Sequence, residues 1–145
     1  MQLACAARGA PAPAKLRAWA RAAARRACAV TLRIVGAAEG RRLNRQFRGR
    51  NGPTNVLSFR YEGASRGIRR GDIALCHPLL AREAREQGKT LAAHYAHLVV
   101  HGMLHLQGFD HTRREEAKRM EREEIRILRR VGFDDPYVLR AARSR

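Results

Sequence analysis

Three short apolar runs are separated by longer helical segments, and this alternation constrains the fold more than any other feature of the chain. The runs VTLRIVG, VLSFRY and GDIALC predict β-strands at Val30–Gly36, Val56–Tyr61 and Gly71–Cys76. Because strands and helices interleave, we expect an α/β (α+β) fold with a small mixed β-sheet of about four strands packed with about five helices. A chain of 145 residues provides one such domain and is too short for two.

Helical periodicity predicts the segments between the strands. The first, from Lys15 to Ala29, is rich in alanine and places four apolar residues on one stripe: Leu16, Trp19, Ala20 and Ala23. Four more helices are predicted at residues 37–47, 77–87, 91–108 and 113–130. The last of these is densely charged, and we expect its inward side to consist of Met120, Ile125 and Leu128.

The two ends of the chain are predicted to lie outside the folded domain. Residues 1–13 have the composition of a disordered lead-in, residues 14–140 form the domain, and residues 141–145 are a basic tail. The first residues lack the basic segment and long apolar run of a signal peptide. No apolar stretch approaches the ~20 residues of a membrane-spanning helix, so we expect none.

The net charge of +17 indicates a polyanionic partner. Residues 1–60 carry thirteen basic side chains and one acidic side chain, so most of the excess lies in the first part of the chain. Nucleic acid is favoured over a membrane surface because no helix pairs a basic face with a bulky apolar one. Arginine enrichment that reflects coding bias, with solvated side chains, is the alternative.

The cysteines do not indicate a disulfide framework or a thiolate metal site. Cys5, Cys28 and Cys76 are odd in number and widely spaced, without a C-x-x-C pair. This pattern fits a reducing compartment such as the cytoplasm.

Three histidines near the end of the fourth predicted helix have the spacing of metal ligands. His101 and His105 are four residues apart, which places both imidazoles on one helix face about 6 Å apart along the axis. Gly108 ends the helix, and His111 can fold back as a third ligand. Three imidazoles suit Zn²⁺, with Ni²⁺ or another divalent metal possible, and leave a position open for water. An open position is typical of a catalytic site.

Two further histidines precede this pair on roughly the same helix face. His94 and His97 could be alternative ligands, substrate contacts or partners that orient the ligands, and we favour a role in lining the site. His77 is interpreted as a turn residue. Asp110, inside the same motif, is expected to hydrogen-bond a ligand imidazole rather than act as the base.

The spacing of the three histidines also occurs in metzincin proteases, H-E-x-x-H-x-x-G-x-x-H. In those enzymes the glutamate after the first histidine takes the proton from metal-bound water, and here that position is Gly102. A metalloprotease would therefore need a base elsewhere, which makes this the weakest of the enzyme hypotheses.

The segment HGMLHLQGFDH, from His101 to His111, resembles the H-G-x-L-H-L-x-G-y-D-H signature of the YbeY family of bacterial endoribonucleases and ribosomal RNA maturation factors. The resemblance extends over about two thirds of the chain. It includes the segments LNRQFRGRNGPTNVLSF (43–59), GDIALC (71–76), EAREQGKTLAAHYAHLVVHG (83–102) and GFDDPY (132–137).

The resemblance implies an α/β metalloprotein that binds one zinc-like ion through His101, His105 and His111 and cleaves single-stranded RNA. It further implies a role in 16S rRNA 3′-end maturation and in ribosome assembly and quality control, with the small ribosomal subunit and its assembly factors as partners. The catalytic arginine of the family corresponds to Arg48 in FRGRN. A guanidinium group there can present its planar fork to a phosphate.

Two positions depart from the family pattern, because Asn51 replaces an aspartate and Arg60 replaces a proline. We expect the basic residues of the segment 41–70 to hold the RNA backbone, while the general base is unassigned. A non-catalytic RNA-binding assembly factor stabilised by zinc is the alternative function.

Overall fold

A mixed sheet of three strands lies at the centre of the computed structural model, which describes residues 9–48, 54–61, 68–110 and 112–138. The strands are β1 (Cys28–Val35), β2 (Val56–Tyr61) and β3 (Arg69–Cys76). The helices are α1 (Pro13–Ala23), α2 (Ala37–Arg48), α3 (His77–Gln87), α4 (Leu91–Leu106) and α5 (Arg114–Arg130). Residues 136–138 add a short helical turn.

The predicted fold class is confirmed, and each strand lies where an apolar run predicts one. Within the described ranges the sheet has three strands rather than about four, since the sequence contains only three runs with strand character. Residues 1–8 and 139–145 lie outside the described part of the chain, so the lead-in and the tail stay predictions.

β3 is the central strand, and its two neighbours run in opposite directions. The order is β1-β3-β2, with β1 parallel and β2 antiparallel to β3. In register, Val35 lies opposite Cys76, and Val56 lies opposite Leu75. The last four residues of β3 are all buried, as expected for a strand covered on both faces.

α4 is the most buried helix of the described chain and positions the histidines predicted as ligands. It packs against α1, α5 and the β2–β3 side of the sheet. Thr90 caps its start, with its Oγ1 accepting a hydrogen bond from the Ala93 amide at 3.1 Å. Gly108 follows its end with a φ of 101°, a left-handed conformation that favours glycine.

The first helix ends earlier than predicted. The expected helix reaches Ala29, whereas α1 ends at Ala23 and β1 begins at Cys28. Tertiary contacts override the helix propensity of the alanines there, because Cys28 pairs with Arg69 across the sheet. In addition, the Gln107 side chain donates to the Ala23 carbonyl at 2.9 Å, which provides a partner for the end of the helix.

The buried side of α5 differs from the predicted one at one position. Ile125 was expected to face the core but is only partly buried, so that prediction was wrong. The buried residues of this helix are Met120, Glu124, Ile127 and Leu128. These positions are spaced by four and then three or four residues, which keeps them on one face of a helix.

The described helices include none that combines the length and the apolar composition needed to cross a membrane.

Gly71 lies at a close approach of α4 to the sheet. A Cβ atom on Gly71 would lie 2.8 Å from Cδ2 of Leu106 and would also clash with the Phe59 carbonyl oxygen. We therefore predict that Gly71→Ala lowers the free energy of unfolding by about 1–3 kcal/mol, measured by urea denaturation. A Cβ on Gly36 meets no atom within 4 Å, so the control Gly36→Ala should change it by less than about 1 kcal/mol. Equal stability of the two variants would contradict the described packing.

Candidate active site

The four histidines of α4 form a row that runs from the protein interior to an open edge. His94 and His97 are buried, whereas His101 and His105 are partly exposed. Ring centroids of His97 and His101 are 6.4 Å apart. α4 is buried because most of its residues are apolar. The predicted ligands His101 and His105 lie one turn apart at the exposed end of the row.

A buried carboxylate connects this row to α5. Glu124 is 1% exposed, and its Oε2 lies 2.6 Å from His97 Nε2 while its Oε1 lies 3.3 Å from His101 Nδ1. The Tyr137 hydroxyl donates to the same carboxylate at 3.0 Å. Glu124 is therefore the common acceptor for groups from α4 and from the turn after α5.

The protonation state of Glu124 determines which histidine nitrogens donate. Burial by itself raises the pKa of Glu124, but hydrogen bonds from His101 and His97 and the positive charge of their rings lower it to about 2. The carboxylate is therefore ionised at neutral pH and only accepts hydrogen bonds. Nδ1 of His101 and Nε2 of His97 must carry the protons. In a neutral His101 ring the lone pair is then on Nε2.

His97 is held in the interior by the same contact. Burial lowers the pKa of His97, and the hydrogen bond and negative charge of Glu124 act in the opposite direction. A histidine so enclosed fits the lining or orienting role expected for it.

A second histidine–carboxylate pair lies one turn earlier on α4. Glu83 of α3 accepts from His94 Nε2 at 2.9 Å and from the Asn55 amide at 3.1 Å. Burial raises the pKa of Glu83, but the hydrogen bonds from His94 and Asn55 outweigh it and lower the pKa. Asn55 directly precedes β2, so this pair ties the start of that strand to α3 and α4.

Two clefts open on this side of the molecule. The histidine cleft has a volume of about 270 Å³, and its walls include Glu83, His94, His97, His101 and Glu124. The His105 cleft has a volume of about 280 Å³ and is lined by Ser58, Arg60, His105 and Asp110, among others. The predicted lining role of His94 and His97 agrees with their place in the histidine cleft.

Arg60 lies in the His105 cleft, at a position where the family resemblance leads one to expect proline. It is exposed on β2 opposite Gly71. Its guanidinium group belongs to the same cleft as His105 and carries hydrogen-bond donors that proline lacks.

Two of the predicted site residues cannot be placed. His111 lies outside the described residues, as does the side chain of Arg48, which is the last residue of α2. The described residues contain no group of three side chains arranged to hold a metal ion. The three-histidine ligand set and the role of Arg48 therefore stay predictions. Asp110 accepts a hydrogen bond from the Thr112 hydroxyl at 3.2 Å.

The donor set at His101 fits a metal ligand. Ligand histidines usually donate their other ring nitrogen to a carboxylate or carbonyl, which fixes the tautomer and the ring orientation. His101 Nδ1 makes this contact with Glu124, so Nε2 is the nitrogen suited to metal binding.

Gly102 occupies the position at which a metzincin has its glutamate, and here that position faces the sheet. A Cβ atom on Gly102 would lie 3.1 Å from Ile73 side-chain atoms and from Ser58 Oγ. A side chain at this position would have to displace the packing of α4 on the sheet, so the site does not provide the base of a metzincin protease.

Sequence reasoning did not identify Glu124, Glu83 or Tyr137 as site residues. Glutamates in strongly charged helices are usually solvated, so neither stands out by composition. The available signal for Glu124 is its spacing of four residues from Met120 and of three from Ile127, which places it on the buried face. His77, interpreted as a turn residue, is the first residue of α3, and its Nδ1 lies 2.6 Å from the Tyr95 hydroxyl oxygen.

Comparisons with known proteins give one consistent family. Residues 14–132 match the family described as Endoribonuclease YbeY, a range that spans β1 to α5. A protein of that name from Aromatoleum aromaticum is 55% identical over 127 residues, which cover 88% of this chain and 81% of the relative. One from Bordetella pertussis is 60% identical over 107 residues, covering 74% and 68%.

A solved structure is also similar. The solution structure of TM1509 from Thermotoga maritima aligns with a TM-score of 0.51 and 27% sequence identity, over 81% of this chain and 79% of that one. The similarity extends over most of both chains and supports the α+β architecture described above.

Glu124 is predicted to be the most important polar residue for stability. Glu124→Ala leaves the donors of His97, His101 and Tyr137 without their buried acceptor and should lower the free energy of unfolding by about 3–5 kcal/mol. Glu121, exposed one turn earlier on α5, is the control, and Glu121→Ala should stay within about 0.5 kcal/mol of wild type. Chemical denaturation of metal-free protein measures both. Similar stabilities for the two variants would contradict the network.

Proposed function

The chain belongs to the YbeY family of endoribonucleases, and on that premise we propose that it is a metal-dependent endoribonuclease that cleaves single-stranded RNA. The observation that carries the metal dependence is the contact of His101 Nδ1 with the buried, ionised Glu124. That contact prepares Nε2 of a partly exposed histidine as a ligand, next to a cleft that contains Arg60.

His101, His105 and His111 would hold the ion, which we propose to be Zn²⁺, with Ni²⁺ or another divalent metal possible. When bound, such an ion supplies a Lewis acid for a phosphate oxygen and lowers the pKa of a coordinated water. Glu124 keeps His101 in one tautomer, and the buried His97 restricts the carboxylate from the other side.

Substrate binding in this proposal depends on arginines. Arg48 would hold the scissile phosphodiester, and Arg60 and other basic residues of the segment 41–70 would contact the backbone around it. A net charge of +17 supports attraction of a polyanion over long distances. Asp110 would orient a ligand histidine. The general base is unassigned. The alternative chemistry is cleavage without the metal, with the 2′-hydroxyl of the RNA as nucleophile and the ion in a structural role.

The physiological substrate we propose is 16S rRNA, cleaved during maturation of its 3′ end, with the small ribosomal subunit and its assembly factors as partners. A cytoplasmic location accords with the free thiols of Cys28 and Cys76. Mapping of rRNA 3′ ends in a depleted strain tests this assignment, because unprocessed 3′ ends should accumulate on depletion.

Metal-dependent cleavage predicts that wild-type protein cuts single-stranded RNA, that metal removal abolishes the activity, and that zinc restores it. His101→Ala should lose at least about 100-fold in rate, corresponding to several kcal/mol of transition-state stabilisation. The control is His77→Ala, since His77 lies outside the α4 row and contacts Tyr95. Equal cleavage by wild-type, metal-stripped and His101→Ala proteins would rule out a catalytic ion.

The alternative of a non-catalytic assembly factor makes different predictions for the same preparations. Chelation would lower Tm sharply, and any ribonuclease activity would separate from the protein on further purification. Activity that co-purifies with the protein and depends on His101 excludes this alternative.

The orienting role of Glu124 predicts an effect on metal affinity that is separate from stability. Glu124→Gln keeps the shape of the side chain but replaces an ionised acceptor, and should weaken zinc binding about 10- to 100-fold. Competition with a chelator measures the affinity, while Tm of the metal-free variant reports on the fold. Glu115→Gln, at an exposed position of the same helix outside the histidine cleft, should bind zinc like wild type. Unchanged affinity in Glu124→Gln would show that Glu124 serves stability alone.

A further inference from the structure

A third cleft lies on the far side of the Gly108 turn from His105. It has a volume of about 620 Å³ and is formed by the connection between α1 and β1, the end of α4 and the first turns of α5. We call it the arginine cleft, after the basic and aromatic residues of its wall: Arg25, Arg26, Phe109 and Arg119. None of these residues belongs to the segment 41–70 to which the sequence assigns RNA binding.

The backbone that carries two of these arginines is fixed to α4. Gln107 accepts a hydrogen bond from the Arg25 amide at 2.7 Å. Its side-chain amide also donates to the carbonyls of Ala23 and Met103, both at 2.9 Å. One glutamine thus joins the end of α1, the start of the connection and the last turn of α4, so Arg25 and Arg26 extend from an anchored segment.

Phe109 holds two guanidinium groups in place. The Cζ atoms of Arg25 and Arg119 lie 5.3 Å and 5.4 Å from the centre of its ring. The ring itself is partly buried and packs against the main core. A cation–π contact uses the face of the guanidinium group and leaves its N–H donors directed outward in the plane, where they can bind phosphate.

The positive charge of the cleft is not neutralised by ion pairs. Arg25, Arg26 and Arg119 make no salt bridge with a carboxylate of the described residues, whereas Arg33 and Arg126 do. Two carboxylates, Asp110 and Glu116, also line the cleft, so they are outnumbered by the arginines.

The charges of Arg25 and Arg119 affect the pKa of a nearby carboxylate, Glu123. The pKa of Glu123 is lowered first by its hydrogen bond with Arg126, and additionally by the charges of Arg25 and Arg119. Arg25 and Arg119 therefore lie close enough to Glu123 to favour its ionised form.

The arginine cleft adjoins the His105 cleft across a shared wall. Gly108, Phe109 and Asp110 line both the arginine cleft and the His105 cleft. A strand bound at His105 and Arg60 needs only to cross this short turn to reach Arg25 and Arg119.

We propose that the arginine cleft binds phosphates of the same single-stranded RNA on one side of the cleavage point, as a second contact region apart from the segment 41–70. This rests on the proposed function, because it takes RNA as the substrate at the histidine row. The planar donors of arginine match phosphate oxygens, and the flexible backbone of a single strand can follow the turn between the two clefts.

The test is the salt dependence of binding to a fluorescently labelled single-stranded RNA oligonucleotide. It uses zinc-loaded protein, and anisotropy is read before cleavage becomes measurable. Each phosphate contact contributes about −0.7 to the slope of log K against log salt. The double variant Arg25→Gln/Arg119→Gln should therefore reduce the steepness of the slope by about 1.4 and weaken binding. Arg85→Gln, an exposed arginine of α3 outside the three clefts, should leave the slope unchanged.

Arg26→Gln is a second variant, for the case that the double variant folds poorly. Arg26 makes no ring contact with Phe109 in the described structure, so its loss should not disturb the packing there. It should reduce the steepness by about 0.7 at an unchanged Tm. Slopes equal to wild type in both variants overturn the proposal, as does a loss as large in Arg85→Gln. A reduced slope in a protein without ribonuclease activity would reject the proposed enzyme function but retain this RNA contact, so the two failures are distinguishable.

Discussion

The buried carboxylate of Glu124 is the interaction on which the arrangement of the site depends. Glu124 carries its charge on the buried face of α5. The charge is tolerated because His97, His101 and Tyr137 all donate hydrogen bonds to it. These donors come from α4 and from the turn after α5, so the pairing fixes the two helices relative to each other. The hydrogen bond that stabilises the buried charge of Glu124 therefore also orients His101, which is predicted to bind the metal.

The clefts at the two ends of α4 contain different kinds of charged side chain. Towards its start, the histidine cleft has acidic and imidazole groups, with Glu83 and Glu124 as acceptors. Beyond its end, the arginine cleft carries guanidinium groups held by Phe109. His101 and His105 lie between them. The carboxylates of the histidine cleft are paired with histidine donors. In the arginine cleft three guanidinium groups outnumber two carboxylates, so the charge there favours an anionic ligand.

Much of the fold follows from local patterns because those patterns act within single elements. The three apolar runs became the three strands. α4 starts after Thr90, whose hydroxyl caps it, and ends before Gly108, which has no Cβ and so adopts a left-handed conformation easily. The boundary at Ala23 could not be read in this way, because pairing with β3 and the Gln107 contact ended the helix. Ile125 was misplaced for a related reason: the buried face contains a glutamate that composition assigns to solvent.

The sequence by itself determined the fold class, the family and the histidine pair, because these depend on spacing along one helix and on contiguous motifs. Only the tertiary structure decided which carboxylates meet the histidines. Glu124 and His97 are 27 residues apart, and no local periodicity relates them. The same holds for Arg25 and Arg119, which meet at one aromatic ring although they belong to opposite ends of the chain. Contacts between distant segments depend on how helices pack, and packing is set by the whole core rather than by any single motif.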